Sequence, residues 1–355
     1  MREQEATLTR ALTRIRPADE ATRTAAQQAF DAKTKPRGSL GRLEELAARV
    51  AAIRGVALPP RLNAAIVVAA ADHGVATEGV SAYPQEVTAQ MLANFAAGGA
   101  AINVLAREVG AALVVVDAGV AVPFSHPDVR SVRFGAGTAN ATTGPAMTRA
   151  QTLDALDAGV RIAEELSAKG FGIVGVGEMG IGNTTSAAAL CACLLPAEPA
   201  RVSGRGTGLD DAGLARKIAA VSRALEANAL DPDDPVGVLA ALGGFEIALL
   251  VGVILGGAAE HLPVVLDGFI TGGAALVAGR LAPASIDAMI AAHRSPEPGH
   301  ALVLAALGLE PLLDLNMRLG EASGAALALP LIASAVALLA DMATFADAGV
   351  TDAGR

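Results

Sequence analysis

The sequence is poor in several residue types, and each scarcity argues against a class of protein. Its only cysteines are Cys191 and Cys193, which cannot form a disulfide framework and which we interpret as small buried residues of one helix. Tryptophan is absent and there is one tyrosine, so we do not expect an aromatic-rich binding surface. The 27 basic residues are outnumbered by 36 acidic ones, and the net charge of −9 argues against nucleic-acid binding.

Catalytic and targeting signatures are also missing. No H-E-x-x-H or G-x-S-x-G pattern occurs, which argues against a metallopeptidase and a serine hydrolase. The charged N-terminus lacks the apolar segment of a signal peptide, so we expect a cytoplasmic protein. The uncharged stretch 322–340 has marginal length for a membrane span and contains Pro330. We interpret it as a pair of buried helices and expect no membrane association.

Short apolar runs alternate with helical patterns along the middle of the chain. Apolar runs rich in Val, Ile and Ala that end in polar or glycine-containing turns are typical of buried parallel strands. This chain has four such runs, which lie within 63–74, 111–120, 170–180 and 262–273. Amphipathic patterns between them predict helices over 84–110, 148–170 and 211–228. This alternation predicts an α/β fold, in which helices cover both faces of a parallel sheet.

The two ends of the chain carry helical patterns without strands. Apolar residues share one face over 39–55, and Ser39 is the candidate N-cap of that helix. We predict that residues 1–58 and 310–355 form a small helical domain. Residues 59–309 then form the large α/β domain that carries the active site.

In such sheets ligands bind where the strands end, and four predicted strand ends carry acidic or glycine residues. These ends are 72–74, 117–119, 177–185 and 267–269. His73, in the first of them, we interpret as a turn residue. A fifth glycine-rich loop, 203–211, places Arg205 between glycines. The proline-containing loop 293–300 is either a rigid loop that holds a phosphate or merely a turn.

The stretch 175–190 has the pattern of a phosphate-binding loop with a carboxylate inside it. Residues 175–180 match G-x-G-x-x-G, but no strand ending in an acidic residue follows, which disfavours a nicotinamide-dependent dehydrogenase. Asn183 and Thr184 open a helix whose free amides can hold a single phosphate. Because Glu178 would repel a pyrophosphate, we expect it to face a sugar or a base instead.

Glu321 is the second carboxylate in a suggestive position. It follows Gly320 and precedes an uncharged helix, where one function would be to compensate the helix dipole. The alternative is a general base in a mostly apolar pocket, where desolvation would raise its pKa toward neutrality.

Nine segments carry a resemblance to a known family. In chain order they read KPRGSLGRLE, ADHGVATEGVSAYPQEVTAQM, NFAAGGAAINVL, VVDAGV, GEMGIGNTTSAAAL, GRGTGLDD, LDGFITGGAAL, HRSPEPGH and LNMRLGEASGAALALP. Together, from about Lys35 to Ala348, they resemble the nicotinate-nucleotide:dimethylbenzimidazole phosphoribosyltransferase family of cobalamin biosynthesis. Each segment alone is weak evidence for the family, but the nine segments in this order are specific for it.

The resemblance implies a pentosyl transfer. The 5-phosphoribosyl group of nicotinate mononucleotide moves to 5,6-dimethylbenzimidazole, giving nicotinate and α-ribazole 5′-phosphate for the lower ligand of the corrinoid. The leaving pyridinium departs as a neutral ring, so we expect neither a metal nor another cofactor. The resemblance also implies a Rossmann-like sheet with a small helical domain built from both chain ends, and a homodimer.

The resemblance assigns residues as well. Glu321 matches the general base and Glu178 a second acidic residue of the site. The aromatic base is expected near Ala82, Tyr83, Pro84, Gln90, Met179 and Leu319. The phosphoribosyl group is expected near Gly180, Asn183, Thr184, Gly206, Lys217, Gly268 and Ser295.

A non-catalytic alternative is a nucleotide-binding partner protein of the same fold, since a fold can keep its shape while its function changes. Such a protein has no need of a carboxylate at Glu321, which favours the enzyme.

Overall fold

A computed structural model describes residues 2–351, with side chains from residue 7 onward. Its centre is one sheet of six parallel strands. The strands are β1 Ala64–Ala71, β2 Ala112–Gly119, β3 Val129–Ser131, β4 Ile173–Met179, β5 Val264–Leu266 and β6 Met289–Ala291. The predicted α/β fold and its four predicted strands are confirmed, whereas β3 and β6 are additional strands of three residues each.

Fifteen α-helices surround the sheet within the described residues. They are α1 Arg2–Arg14, α2 Glu20–Asp31, α3 Arg42–Arg54, α4 Val87–Ala96, α5 Ala101–Glu108, α6 Arg149–Ala168, α7 Asn183–Leu194, α8 Pro199–Val202, α9 Asp211–Glu226, α10 Pro235–Leu242, α11 Phe245–Ala259, α12 Phe269–Leu281, α13 Pro298–Leu307, α14 Ser323–Asp341 and α15 Phe345–Ala348. Two short 3₁₀ helices, Gly74–Glu78 and Pro283–Ala288, complete the set.

The strand order is β3-β2-β1-β4-β5-β6, so the winding direction reverses between β1 and β4. A parallel sheet that reverses in this way leaves a crevice at the carboxyl ends of the two central strands, where ligands bind. The loop that follows β4 begins at Gly180 and leads into α7. The G-x-G-x-x-G stretch therefore ends at this crevice.

Both faces of the sheet are buried, as the continuous apolar strands predict. Alternate residues of β1 point to opposite sides. Val67 belongs to the core formed with α6, α7, α11 and α12, whereas Ile66 and Val68 belong to the core formed with α2, α3, α4, α5 and α14.

Three local predictions are wrong. The helix expected over 84–110 is interrupted between α4 and α5. The stretch 322–340 is not a helix pair, because α14 continues through Pro330 as one helix. Ser39 does not cap α3; the N-cap is Gly41, and Glu44 Oε1 accepts from the backbone N–H of Leu40 at 2.9 Å.

The chain ends pack in two places. Helix α2 packs against α3, and α3 against α14, whereas α1 packs against α6 and α11. Arg14 also pairs with Glu260 at 2.7 Å, which ties α1 to the end of α11. The division at residues 58 and 310 stays a prediction, and residues 1 and 352–355 of the predicted small domain lie outside the described residues.

Two stretches have the length and composition of a membrane span, Val87–Glu108 and Ser323–Asp341. The first is divided between α4 and α5. The second packs against α3, β4 and β5. Buried core helices have the same composition as short spans, so neither stretch is evidence for a membrane.

Candidate active site

A cavity of about 370 Å³ lies at the carboxyl ends of β4 and β5. Its wall is built from six segments, which lie within 83–91, 178–184, 206–207, 267–270, 293–297 and 318–321. Two of the four predicted strand ends, those after β4 and β5, therefore meet there. The other two do not line it, because Asp72 accepts from Ala121 N and Asp117 pairs with Arg133, contacts that shape the far side of the sheet.

Glu178 lies at the end of β4 and is buried in the cavity wall. The side-chain amide of Asn183 donates to its Oε2. Burial raises the pKa of Glu178 to about 8, although the Asn183 hydrogen bond opposes the shift, and the carboxylates of Asp267 and Glu321 add to it. At neutral pH this carboxyl group is therefore mostly protonated, and it can donate a hydrogen bond.

Glu321 is held beside Glu178 by the backbone that precedes α14. Glu321 and Ala322 both have positive φ angles, 59° and 63°, which are rare for residues with a Cβ atom. Gly320 makes the turn possible: its φ is +84°, and a methyl group there would lie 2.6 Å from Glu178 Oε1. Strained backbone of this kind is typical of functional sites.

The Glu321 side chain is buried, and its Oε2 has no hydrogen-bond partner among the described residues. Burial raises the pKa of Glu321, while the backbone N–H of Ile102 opposes the shift. A carboxylate with a raised pKa, in a cavity wall and with one oxygen not engaged in a hydrogen bond, is suited to accept a proton.

Asp267, which follows β5, is a third buried carboxyl group of the wall. Its Oδ1 accepts from the backbone N–H groups of Gly324 at 2.6 Å and Ala325 at 3.1 Å, so it caps the N-terminus of α14. Burial raises its pKa to about 7. Because Glu321 lies just before α14, this cap fixes the position of Glu321.

The opposite side of the cavity is suited to an anion. Helix α7 begins after Gly182 without a side-chain cap. The backbone N–H of Asn183 donates to Gly180 O at 3.1 Å and that of Thr185 to Gly182 O at 2.9 Å, so the Thr184 amide of the first turn is the one positioned to receive an anion. The backbone of Gly206 and Gly268 and the side chain of Ser295 complete this part of the wall.

Arg318 is the one Lys or Arg among the lining residues that the structure describes. It is exposed at the mouth of the cavity, where its Nη1 donates to Gly206 O at 3.3 Å. Lys217 lies behind the wall: it is fully buried and donates to Gly204 O at 3.0 Å, and its Nζ lies 3.8 Å from Glu297 Oε2. Arg205 pairs with Asp211 outside the cavity.

Apolar side chains form the remaining wall. They are Tyr83, Val87, Met91, Met179, Ile181, Phe269, Ile270 and Leu319. Tyr83 and Leu319 are about half exposed, so a bound ring would cover them. This composition is suited to a flat aromatic ligand.

A second hollow of about 640 Å³ lies between the start of α6 and α10. Two of its polar side chains are already bonded within the chain, Arg149 to Asp234 at 2.6 Å and Gln151 to Phe134 O at 2.9 Å. It lacks the buried carboxyl groups of the first cavity. We therefore assign the chemistry to the first.

Comparison with known proteins identifies the chain. The sequence model of a family described as phosphoribosyltransferase matches residues 15–350. The chain belongs to this family. The resemblance drawn from nine segments is thereby confirmed.

Relatives of this phosphoribosyltransferase are similar over nearly their whole length. Proteins named nicotinate-nucleotide–dimethylbenzimidazole phosphoribosyltransferase from Desulforudis audaxviator and Chloroflexus aggregans are each 53% identical, over 98% and 97% of this chain and 98% of theirs. The crystal structure of CobT from Thermus thermophilus superposes with a TM-score of 0.90 at 48% identity, covering 93% of this chain and 99% of that one.

The structure brings most of the predicted site residues of the phosphoribosyltransferase to one cavity. Those in its wall are Tyr83, Glu178, Met179, Gly180, Asn183, Thr184, Gly206, Gly268, Ser295, Leu319 and Glu321. Ala82, Pro84, Gln90 and Lys217 are not in the wall, and their roles stay predictions. Within the described residues, no group of three or more His, Cys, Asp or Glu side chains is arranged to hold a metal.

Five polar lining residues were not among the predicted site residues: Thr207, Asp267, His293, Glu297 and Arg318. Asp267 stood at a predicted strand end and His293 in a candidate phosphate loop, so the signal for both was present. Burial lowers the pKa of His293, which is therefore a neutral imidazole at neutral pH. No sequence motif marks Arg318 as a site residue, because its position at the mouth of the cavity depends on how the chain folds before α14.

Proposed function

We propose that this phosphoribosyltransferase moves the 5-phosphoribosyl group of nicotinate mononucleotide to 5,6-dimethylbenzimidazole. The products are nicotinate and α-ribazole 5′-phosphate, the precursor of the lower ligand of cobalamin. The names of relatives that are 53% identical support this substrate pair. The observation that carries the proposal is one cavity whose wall holds both the buried carboxyl group of Glu321 and the first turn of α7.

The proposed reaction is a displacement at the anomeric carbon. One benzimidazole nitrogen attacks with its lone pair from the face opposite nicotinate, which inverts the β-linkage to α. The electron pair of the breaking carbon–nitrogen bond goes to the nicotinate ring, which leaves as a neutral pyridine. The other benzimidazole nitrogen then carries a proton that must be removed.

We assign that proton to Glu321. Its raised pKa brings the carboxylate closer to the operating pH, where general bases are most efficient. Its backbone is fixed by the Asp267 cap on α14 and by the turn at Gly320, so the base does not need to be ordered when substrate binds.

Glu178 takes a different role. A carboxyl group that is mostly protonated at neutral pH does not repel the nucleotide phosphate, and it donates a hydrogen bond toward the ribose or the base. This explains why a carboxyl group is compatible with a phosphate-binding loop. The side-chain amide of Asn183 donates to Glu178 Oε2, and Asn183 also begins α7, the helix proposed to bind the phosphate. Asn183 therefore connects the phosphate-binding turn with the carboxyl group that faces the ribose or the base.

The phosphate then lies at the N-terminus of α7, against Thr184, Gly180, Gly206, Gly268 and Ser295, with Arg318 as its cation. Lys217 supports this end from behind by holding the Gly204–Gly206 backbone. Tyr83, Met179 and Leu319 contact the aromatic ring, and Ala82, Pro84 and Gln90 shape the segment around Tyr83. No cofactor takes part in these steps.

An end-point assay tests the proposal. Purified protein, nicotinate mononucleotide and 5,6-dimethylbenzimidazole are mixed without added metal, and the products are separated by chromatography with mass detection. We expect nicotinate and α-ribazole 5′-phosphate in equal amounts. Absence of both products, also with adenine and phenols as acceptors, would favour the non-catalytic nucleotide-binding protein.

We also propose that the enzyme is a cytoplasmic homodimer that binds neither membranes nor nucleic acid. The burial of α14 against α3 and the sheet supports the absence of a membrane span. Light scattering during size-exclusion chromatography should give twice the chain mass of 35.3 kDa. A mass of one chain would contradict the dimer.

A further inference from the structure

Beneath the cavity lies a chain of three buried polar side chains that do not line it. His73 Nδ1 lies 2.9 Å from Ser186 Oγ, and His73 Nε2 lies 2.6 Å from Glu246 Oε1. Their exposed fractions are 4% for Ser186, 1% for His73 and 0% for Glu246. The three residues come from α7, the end of β1 and α11, so the chain connects elements that are distant in sequence.

This chain lies directly under the loop 180–182. A methyl group on Gly180 would lie 3.2 Å from Glu246 Oε1, and one on Gly182 would lie 3.5 Å from His73 Cβ. Ser186 belongs to the start of α7, immediately after Asn183 and Thr184. The three side chains therefore support the part of the wall that is formed by the loop 180–182 and the first turn of α7.

Stability alone does not explain these residues. Glu246 is fully buried, and its Oε2 has no hydrogen-bond partner among the described residues. A buried ionic or polar pair is commonly no more stable than apolar side chains of the same volume. A polar chain in this position therefore indicates a need for a defined local geometry, which directed hydrogen bonds supply and apolar packing does not.

We propose that His73, Ser186 and Glu246 are positioning residues that fix the loop 180–182 and the first turn of α7 in the shape that receives the nucleotide phosphate. The proposal rests on the proposed function. His73 acts as the bridge: one ring nitrogen holds α7 through Ser186, and the other holds α11 through Glu246. Without it the loop can relax, and the amide groups no longer converge on one point.

The test measures binding with and without a phosphate on the ligand. Isothermal titration calorimetry is performed on the full chain with nicotinate mononucleotide and with nicotinate riboside, which lacks the phosphate. The variants are His73→Gln and Ser186→Ala. Ser285→Ala is the matched control, because Ser285 is equally buried, has no hydrogen-bond partner for its Oγ among the described residues, and does not line the cavity.

We expect the Kd of nicotinate mononucleotide to rise about tenfold or more in His73→Gln, which loses both anchors of the loop. It should rise about threefold in Ser186→Ala, which loses one hydrogen bond. The Kd of the riboside should change by less than about twofold in both variants, because the ring and ribose contacts remain. Ser285→Ala should match the wild type for both ligands.

Equal weakening of both ligands, or mononucleotide binding as tight as in the control, would overturn the positioning role. If His73→Gln does not fold, Ser186→Ala decides, since it removes only a hydroxyl group. The wild-type protein distinguishes the failure of the two proposals. If the wild type forms product and the variants bind nicotinate mononucleotide as tightly as the wild type, only the positioning role is refuted. A wild type that binds no mononucleotide and forms no product refutes the proposed function, and the positioning role with it.

Discussion

The backbone N–H of Glu321 donates a hydrogen bond to the carbonyl oxygen of Glu178, with an N···O distance of 3.2 Å. Glu178 is the second-last residue of β4, and Glu321, which is 143 positions later in the sequence, lies just before α14. A methyl group on Gly177 would collide with the backbone of Ala322, so a glycine in β4 allows this approach. The distance between the two carboxyl groups is therefore set by the main chain rather than by flexible side chains.

Gly320→Ala should abolish most activity. The new methyl group would lie 2.6 Å from Glu178 Oε1 and would displace that carboxyl group, which should lower kcat/KM about 100-fold. The control is Gly308→Ala, whose φ of +63° is similar but whose methyl group meets no atom within 4 Å. Both variants should lose about 1 kcal/mol of stability in urea unfolding. Equal activity of the two would show that the contact with Glu178 is unimportant.

Glu178→Gln should raise stability at alkaline pH and keep most of the turnover, because the Gln amide is neutral and also donates a hydrogen bond. Burial raises the pKa of Glu178 in the folded protein above that of an unfolded glutamate, so the folded state binds more protons and stability falls as pH rises from about 4.5 toward about 8. Gln carries no charge, so this loss disappears, and the variant should gain on the order of 4 kcal/mol at pH 8.5.

Urea unfolding of wild type and Glu178→Gln at pH 5.5 and pH 8.5 measures the effect. The exposed Glu226→Gln serves as control and should change stability by less than about 0.5 kcal/mol at either pH. A Glu178→Gln variant with wild-type stability at both pH values, or with most of its activity lost, would contradict the neutral-acid role.

Arg318→Met should weaken nucleotide use. The substitution keeps much of the apolar stem but removes the one Lys or Arg side chain of the described cavity wall, so KM for nicotinate mononucleotide should rise about tenfold or more. KM for the benzimidazole should stay within about twofold. Arg205→Met is the contrast, because Arg205 belongs to the neighbouring loop but pairs with Asp211 outside the cavity. If Arg205→Met has the larger effect, the phosphate assignment is wrong.

Much of the fold could be predicted because the central strands are long and apolar. β1, β2 and β4 each have at least seven residues, which gives a clear run in the sequence. β3 and β6 have three residues each, too few for a period to be recognised, and they lack the Asp-Gly turn that marked the equally short β5. Their place at the two edges of the sheet is set by tertiary packing.

The site was predictable in part for a similar reason. Glu178 and Glu321 stood out because each is a charge in an apolar or glycine-rich stretch. Glu246 gave no such signal, because its partner His73 precedes it by 173 positions and only the fold joins them. The same holds for Asp267, whose function as a cap of α14 depends on the contact between that helix and β5.

The kinetics of Glu321→Gln test the account most directly. Gln keeps the size of the side chain but cannot accept the benzimidazole proton, so kcat should fall by about 100-fold or more. Calorimetry should show nicotinate mononucleotide binding within about threefold of the wild type. Glu310→Gln, a surface residue paired with Arg42, is the control and should turn over normally. A Glu321→Gln enzyme with the kcat of this control would contradict the general-base role of Glu321.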